Sequence, residues 1–349
     1  MFRADTLFVL GAASSHDFGF PLGDKLKQEI AERLAFTVDS FGRVKFQNSN
    51  AQSIYLNLTR HEIDPLTIEA ALRVANITNK GVGLAKSIDH FLAMRESEPG
   101  LSRFVKAVIA SIIHEYETKP FELRKDSLRQ GHTLNFDKTW HQLFAQICFE
   151  DVTQEMLPVA LKNISVVNFN YDRSFEQFVK IALARLYSLD WSTASELAKN
   201  LVVTHPYGLL RWPSQNGLNS EIEFGQEGIS NFELVGEGIR TFTEQNIDPK
   251  TLAQLTGQVR NADVIVFLGF GYHKRNLEIL EPSFGVHARE VYGTAHKVAK
   301  SARDKLKLDL RRMFGRWSNG ECKEEAQINL DDMTCLEFLE EYGSALQQR

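Results

Sequence analysis

The sequence is poor in cysteine, with three in 349 residues: Cys148, Cys322 and Cys335. No two form a C-x-x-C pair, which excludes a structural zinc site built on such pairs and fits a reducing, cytoplasmic setting. No apolar run of about 18 residues occurs, so no transmembrane helix is expected. A surplus of basic charge is also missing. The net charge is −5 and the pI is near 6.1, so no general attraction to nucleic acid or anionic membrane follows. Internal repeats and low-complexity tracts are absent. One stretch, "LFVLGAA" at 7–13, could pass for a signal-peptide core. It is short, follows Asp5 and has only Arg3 as a positive side chain before it, so it reads as a strand.

What is present is a chain that is 43% hydrophobic and long enough for one large domain or two smaller ones. It opens as a strand-turn-helix unit. "TLFVLGA" at 6–12 is an apolar run ending in glycine, and Leu22, Leu26, Ile30 and Leu34 then repeat at helical spacing. From 36 to 160 the pattern predicts a mostly helical insertion. An irregular or hairpin excursion comes first, followed by a helix from Pro65 capped by Asp64. An apolar stripe at Leu101, Phe104, Val105, Val108, Ile112 and Tyr116 marks another helix, and a further helix at 136–149 is capped by Asp137.

After 160, strands and helices alternate again. "NISVVNF", "LVVTH", "DVIVFLGFG" and "REVYGTAH" read as strands. Helices are predicted at 174–189, opened by a capping box of Ser174 and Gln177, and at 248–262. Near-continuous apolar strands alternating with helices predict an α/β fold, a Rossmann-like doubly wound parallel sheet made of 1–35 and 161–320. Residues 321–349 read as a C-terminal helical segment. In such sheets ligands bind at the carboxyl ends of the strands.

Those ends carry "GAASSHDFG" from Gly11, "NYD" at 170–172, "HPYG" at 205–208, "GFG" at 269–271 and "YGT" at 292–294. Each has an ordinary reading as a turn or cap. Together they put glycines, an amide, an acid and an imidazole on one edge, which is the logic of a nucleotide site.

The set "GAASS…GFPLGDKL", "VVNFNYD", "THPYGLL" and "VIVFLGFG" resembles the SIR2-like family, which includes sirtuins and bacterial SIR2-like NAD hydrolases, over most of the chain from residue 6 to about 295. Gly11, Ala12 and Ser14 or Ser15 resemble the family's phosphate loop, with Ala13 where a second glycine usually lies, and the loop from Gly11 to Ser15 would take the diphosphate. Phe20 and Pro21 resemble the element that follows. Asn170 and Asp172 match the asparagine and aspartate of the family's strand-tip motif, and Asn168 would orient the loop. "HPYG" resembles the histidine-glycine motif, but Tyr207 precedes the glycine and His205 lies two residues earlier.

The resemblance implies a Rossmann-like NAD site without metal. Asn170, His205 and Asp172 would be catalytic. Gly11, Ala12, Ala13, Ser14, Phe20, Pro21, Asn170, Asp172, Tyr207, Gly269, Phe270 and Gly271 would contact the dinucleotide. His205 is expected as the catalytic base, since tyrosine ionises near 10 and histidine near 6.5, with Tyr207 lining the ribose pocket. A base supplies about 10²–10⁴-fold, so binding strain and electrostatic support for the ribosyl cation must supply the remainder.

Protein-deacylating sirtuins resemble the family with a four-cysteine zinc module, which this chain lacks, so water is the implied acceptor. The implied activity is cleavage of NAD to nicotinamide and ADP-ribose, as an NAD-depleting effector of bacterial antiphage defence. A homo-oligomer and a HerA-like ATPase or other defence partner are expected. The alternative is a module that senses NAD or ADP-ribose without turnover. A nucleic-acid role would rest on the basic stretch 297–316. Asp304 and Asp309 interrupt it, and Leu306, Leu308, Leu310 and Met313 suggest a packed helix, so direct nucleic-acid binding is not expected.

Overall fold

The computed structural model describes residues 1–59, 65–128, 135–212, 222–241, 247–281, 288–318 and 321–348. The chain divides into two compact units. The first comprises Met1–Phe18, Phe121–Pro206 and Asp248–Arg349, and the second Gly19–Pro120 and Tyr207–Ile247.

The first unit is built on six strands: β1 (Thr6–Leu10), β2 (Ile164–Asn168), β3 (Val202–Thr204), β4 (Val264–Leu268), β5 (Glu290–Thr294) and β6 (Gln327–Asp331). Their order is β6-β5-β4-β1-β2-β3 and every pairing is parallel. This is the doubly wound Rossmann-like sheet that the strand-helix alternation predicts. The winding reverses between β1 and β4, so the crevice used for ligands in such sheets opens there.

Strands β1 and β4 are buried at every position, which explains their unbroken apolar runs. Phe8 packs on Phe144 of the helix Trp140–Phe149, with ring centroids 5.5 Å apart. Phe267 packs on Phe314 of the helix Lys300–Phe314 at 6.3 Å. Phe8 is in register with Val266, and Phe267 is the next residue, so these two helices cover opposite faces of the sheet.

The second unit is mostly helical. Its helices include Gly23–Arg33, Ser49–Thr59, Pro65–Gly81 and Leu101–Thr118, and Phe36–Val38 pairs with Val44–Phe46 as an antiparallel hairpin. Leu101, Phe104, Val105, Val108 and Ile112 are buried along one helix, as the stripe predicts. The short helix Phe232–Gly236 reaches the same helix through glycine: a Cβ on Gly236 would lie 3.0 Å from the Lys106 backbone.

Several local expectations change. The helical unit is not the single insertion 36–160. It begins at Gly19, ends its first stretch at Pro120 and adds Tyr207–Ile247. The helix at Trp140–Phe149 belongs to the sheet, because its Trp140, Phe144 and Cys148 edge is buried in the sheet unit. Its cap is Thr139, whose hydroxyl accepts from Gln142 N, and not Asp137. The segment 321–349 is not only helical: Gln327–Asp331 is the edge strand β6, and the helix Cys335–Leu346 follows with a capping box of Thr334 and Glu337. Asp64 lies outside the described residues.

Cys148 and Cys335 are free and buried, and burial pushes the Cys148 thiol up to about 12. In the basic helix, Leu310 is buried but Leu308 is 52% exposed. Arg303 pairs with Asp332 at 3.2 Å and Lys307 with Asp331 at 4.0 Å, so part of its basic face is answered within the unit. No helix among the described residues is long and apolar enough to cross a membrane.

Candidate active site

Two pairs of loops leave the carboxyl edge of the sheet. The first pair follows β1 and β4, on either side of the reversal point. Gly11 N–H donates to Leu268 O at 3.0 Å, Ala13 N–H to Gly269 O at 3.2 Å and Ser14 N–H to Gly11 O at 2.9 Å. The backbones touch. A Cβ on Gly11 would sit 2.6 Å from both Gly269 O and Phe270 Cα. A Cβ on Gly269 would sit 2.3 Å from Ser14 N, and its φ of +61° is itself unfavourable for a side chain.

The need for glycine at 11 and 269 is therefore loop-to-loop approach. It is not, at these positions, room for a diphosphate. Ala13 fits without strain because the chain turns into the short 3-10 helix Ala12–Phe18 and needs no positive φ there. Ala12, Ala13 and Gly271 are exposed, while Ser14 and Phe270 are buried.

Thr294, at the end of β5, fixes the far loop. Its Oγ1 accepts from Gly269 N–H at 2.9 Å, and its carbonyl accepts from the Tyr272 hydroxyl at 3.0 Å. Trp140 supports the near loop by donating Nε1–H to Ser14 O at 2.7 Å.

The second pair follows β2 and β3. Asn168 ends β2 and accepts Asn170 N–H on its Oδ1 at 3.1 Å, so it orients the loop as expected. Its Nδ2 is buried with no partner among the described residues. Asn170 is only 7% exposed and turns back under the first loop. Its Nδ2 lies 3.1 Å from Gly11 O, 3.2 Å from Ser14 Oγ and 2.9 Å from Ser15 Oγ. Two N–H donors thus serve three acceptors, and the amide's remaining polar group is the acceptor Oδ1.

Asp172 accepts Ser174 N–H at 3.0 Å, Ser174 Oγ–H at 2.5 Å and Ser15 Oγ–H at 3.1 Å on one oxygen, Oδ1. Ser174 therefore does not cap its helix with Gln177. Arg173 is the boundary residue, Asp172 takes the helix's first N–H, and Gln177 donates to Leu123 O at 2.8 Å.

His205 follows β3, which ends at Thr204. Its Nδ1 lies 3.2 Å from Asn170 O and its Nε2 2.5 Å from Glu176 Oε1. A carbonyl only accepts, so Nδ1 carries a hydrogen, and one further proton sits between Nε2 and the carboxylate. Burial disfavours the charged ring, but the attraction of Glu176 and their hydrogen bond outweigh it. His205 accordingly holds its proton above its ordinary 6.5. Burial likewise opposes ionisation of Glu176, and His205 overcomes it, lowering the carboxyl from its ordinary 4.5. In this geometry neither ring nitrogen has a lone pair free for a substrate.

Gly11, Ser14, Asn170, Asp172, His205 and Gly269 are thus joined within the first unit. Phe20, Pro21 and Tyr207 belong to the second unit. There Phe20 is buried beside Tyr116, ring centroids 5.9 Å apart, and Tyr207 is 6% exposed with its carbonyl accepting from Arg240 N at 2.8 Å. The sequence reading placed Ser15 in the phosphate loop without its bond to Asp172, and it missed Ser174, Glu176, Thr294, Tyr272 and Trp140 as site residues. Ser174 lies beside a motif already quoted, and that proximity was the available signal. Glu176 looks like any acidic residue in a helix's first turn. Among the described residues no cluster of three or more His, Cys, Asp or Glu side chains could hold a metal ion.

No protein-family model matches the chain, and no curated protein matches it in sequence. Among solved structures it is similar to one described as a SIR2 homolog–NAD complex, at 14% identity and a TM-score of 0.42, covering 98% of this chain and 90% of that one. Similarity at that level carries neither fold nor function to this chain, and the sheet order stands on its own coordinates.

Proposed function

We propose that the chain is a SIR2-like NAD hydrolase that cleaves the nicotinamide–ribose bond with water as acceptor. The observation that carries this reading is the Asn170 side chain. It sits beside the reversal point of the sheet, and its two N–H groups are tied to Gly11 O and the Ser14 and Ser15 hydroxyls. That arrangement leaves Oδ1 as a fixed acceptor.

Cleavage of a glycosidic bond passes through an oxocarbenium-like state. A preorganised carbonyl dipole beside the ribose favours the positive charge as it develops, and the same oxygen orients a water by accepting one of its hydrogens. Asp172 acts through Ser15 and Ser174, holding the two loops in register. The diphosphate would lie along the exposed backbone of Ala12, Ala13 and Gly271, with Phe270 behind them. His205, with both nitrogens engaged, acts on the Asn170 backbone and is not the free base that the sequence suggests. Phe20, Pro21 and Tyr207 remain candidate contacts for the nicotinamide ribose on the strength of the motif resemblance.

The biological reading is an NAD-depleting effector of bacterial antiphage defence, working in the cytoplasm as a homo-oligomer with a HerA-like ATPase or another defence partner. It rests on the motif resemblance and the missing four-cysteine module. The engagement of both His205 nitrogens favours a second reading, a module that binds NAD or ADP-ribose without turnover.

Incubation of the purified chain with NAD, with products separated by mass, distinguishes the two. Nicotinamide and ADP-ribose in equal amounts support hydrolysis. Intact NAD together with calorimetric binding of ADP-ribose supports sensing.

A further inference from the structure

We propose that Glu176 is a positioning residue that locks His205 as a doubly donating imidazolium, so that the pair forms a strut setting the orientation of the Asn170 peptide. The inference rests on the reading of Asn170 as the group that faces the reacting ribose. Its geometry stands independently of that reading. Three observations carry it.

Nδ1–H of His205 points to a main-chain carbonyl, Asn170 O, at 3.2 Å, and that carbonyl belongs to the residue whose side chain lies against Gly11, Ser14 and Ser15. The opposite nitrogen meets Glu176 Oε1 at 2.5 Å, and the His205 side chain is only 7% exposed, so the ring is held at both ends and excluded from water. Glu176 Oε2 is buried and has no partner among the described residues. A buried carboxylate with one oxygen unmatched is costly unless a cation stands beside it, and His205 is the cation in contact.

The charged neighbours act in the same direction. Asp172 favours the imidazolium, and Arg173 favours the Glu176 carboxylate. From the helix Pro249–Asn261, Gln254 and Gln258 approach the adjacent Thr204 with neutral amides. The histidine thus transmits position to Asn170 through its backbone while Glu176 supplies the countercharge, and proton transfer at His205 is not part of its role.

The test is a side-chain nitrogen NMR titration of the full-length chain, using His205→Gln to identify the His205 signals among the ten histidines. In the wild type both His205 nitrogens should be protonated at neutral pH, with a midpoint above the ordinary 6.5. In Glu176→Gln, which keeps an acceptor but no charge, the midpoint should fall below the wild-type value. A wild-type His205 with one bare nitrogen at neutral pH overturns the proposal, as does an unshifted midpoint in a Glu176→Gln chain whose other signals are unchanged.

Turnover supplies the second arm. Where the wild type releases nicotinamide, Glu176→Gln should lower kcat by about an order of magnitude with KM nearly unchanged, the mark of an interaction that matters in the transition state. A change confined to KM contradicts positioning. If the wild type does not cleave NAD, the functional reading fails and the titration still decides the strut.

Discussion

The two loop pairs at the sheet edge are fixed by different physics. At β1 and β4 the contact is backbone on backbone. Gly11 and Gly269 approach so closely that a methyl group on either meets main-chain atoms at 2.3–2.6 Å. At β2 and β3 the contact is made by side chains: a serine-carboxylate-amide network around Asp172 and Asn170, and one ion pair between His205 and Glu176. The first junction depends on shape and has no titratable member. The second depends on hydrogen bonds and charge, so it answers to pH and to isosteric substitution. The two pairs meet between β1 and β2, one strand from the reversal point, and Asn170 and Asp172 tie them together through Gly11 O and the Ser14 and Ser15 hydroxyls.

The largest effect should come from breaking the shape-dependent side. Gly269→Ala puts a Cβ into the Ser14 backbone at a positive φ. Left-handed backbone costs roughly 1–2 kcal/mol for a residue with a side chain, and overpacking adds roughly 1–3 kcal/mol. Urea unfolding should register that loss, and the loss should be the same at pH 5 and pH 8.

Asn170→Ala comes next. It leaves Gly11 O and the serine hydroxyls without their donor, at a cost of roughly 1–3 kcal/mol, and it should abolish nicotinamide release. Asn170 is therefore not the dispensable strand tip that its loop position suggests, and activity must be compared at equal folded fraction.

On the charge-dependent side the prediction concerns pH. The raised His205 contributes stability that is complete below its unfolded value near 6.5 and is lost as pH rises through the folded value. The lowered Glu176 contributes stability that is complete above 4.5 and is lost as pH falls through its folded value. The stability gap between wild type and Glu176→Ala should therefore be widest between those two values and narrow on both sides. A gap that is flat from pH 4 to pH 9 removes the ion pair from the account.

The smallest effect expected is that of Thr294→Val, which keeps shape and deletes the acceptor for Gly269 N–H. A loss of about 1 kcal/mol by thermal or urea unfolding is expected.

How far this division was legible in the sequence depended on the kind of interaction. β1 and β4 announced themselves because a strand covered on both faces must be continuously apolar. β6 did not, because an edge strand of five residues with only Ile328 and Leu330 buried leaves a weak signal. The membership of Tyr207–Ile247 in the helical unit was hidden for a related reason. Among its described residues the segment contributes one five-residue helix, and close approach of Gly225 to Glu117 and of Gly236 to Lys106 attaches it without a long apolar stripe.

At the site, the residues that stand at strand ends were found: Gly11, Asn170, Asp172, His205 and Gly269. Those that act from the next turn of chain were not, apart from Ser15 as a phosphate-loop residue. Ser174 looks like a helix cap, and Glu176 gains its meaning only from a histidine 29 positions later. Position along the strand was readable, whereas the partner of each hydrogen bond was not.

The most direct measurement is the release of nicotinamide from NAD by the purified wild-type chain beside Asn170→Ala, with calorimetric binding of ADP-ribose recorded for both. Equal nicotinamide and ADP-ribose are expected from the wild type, with a loss of at least about a hundredfold in the variant and retained ADP-ribose binding in each. Intact NAD with the wild type, or nicotinamide release by Asn170→Ala at the wild-type rate, would contradict it.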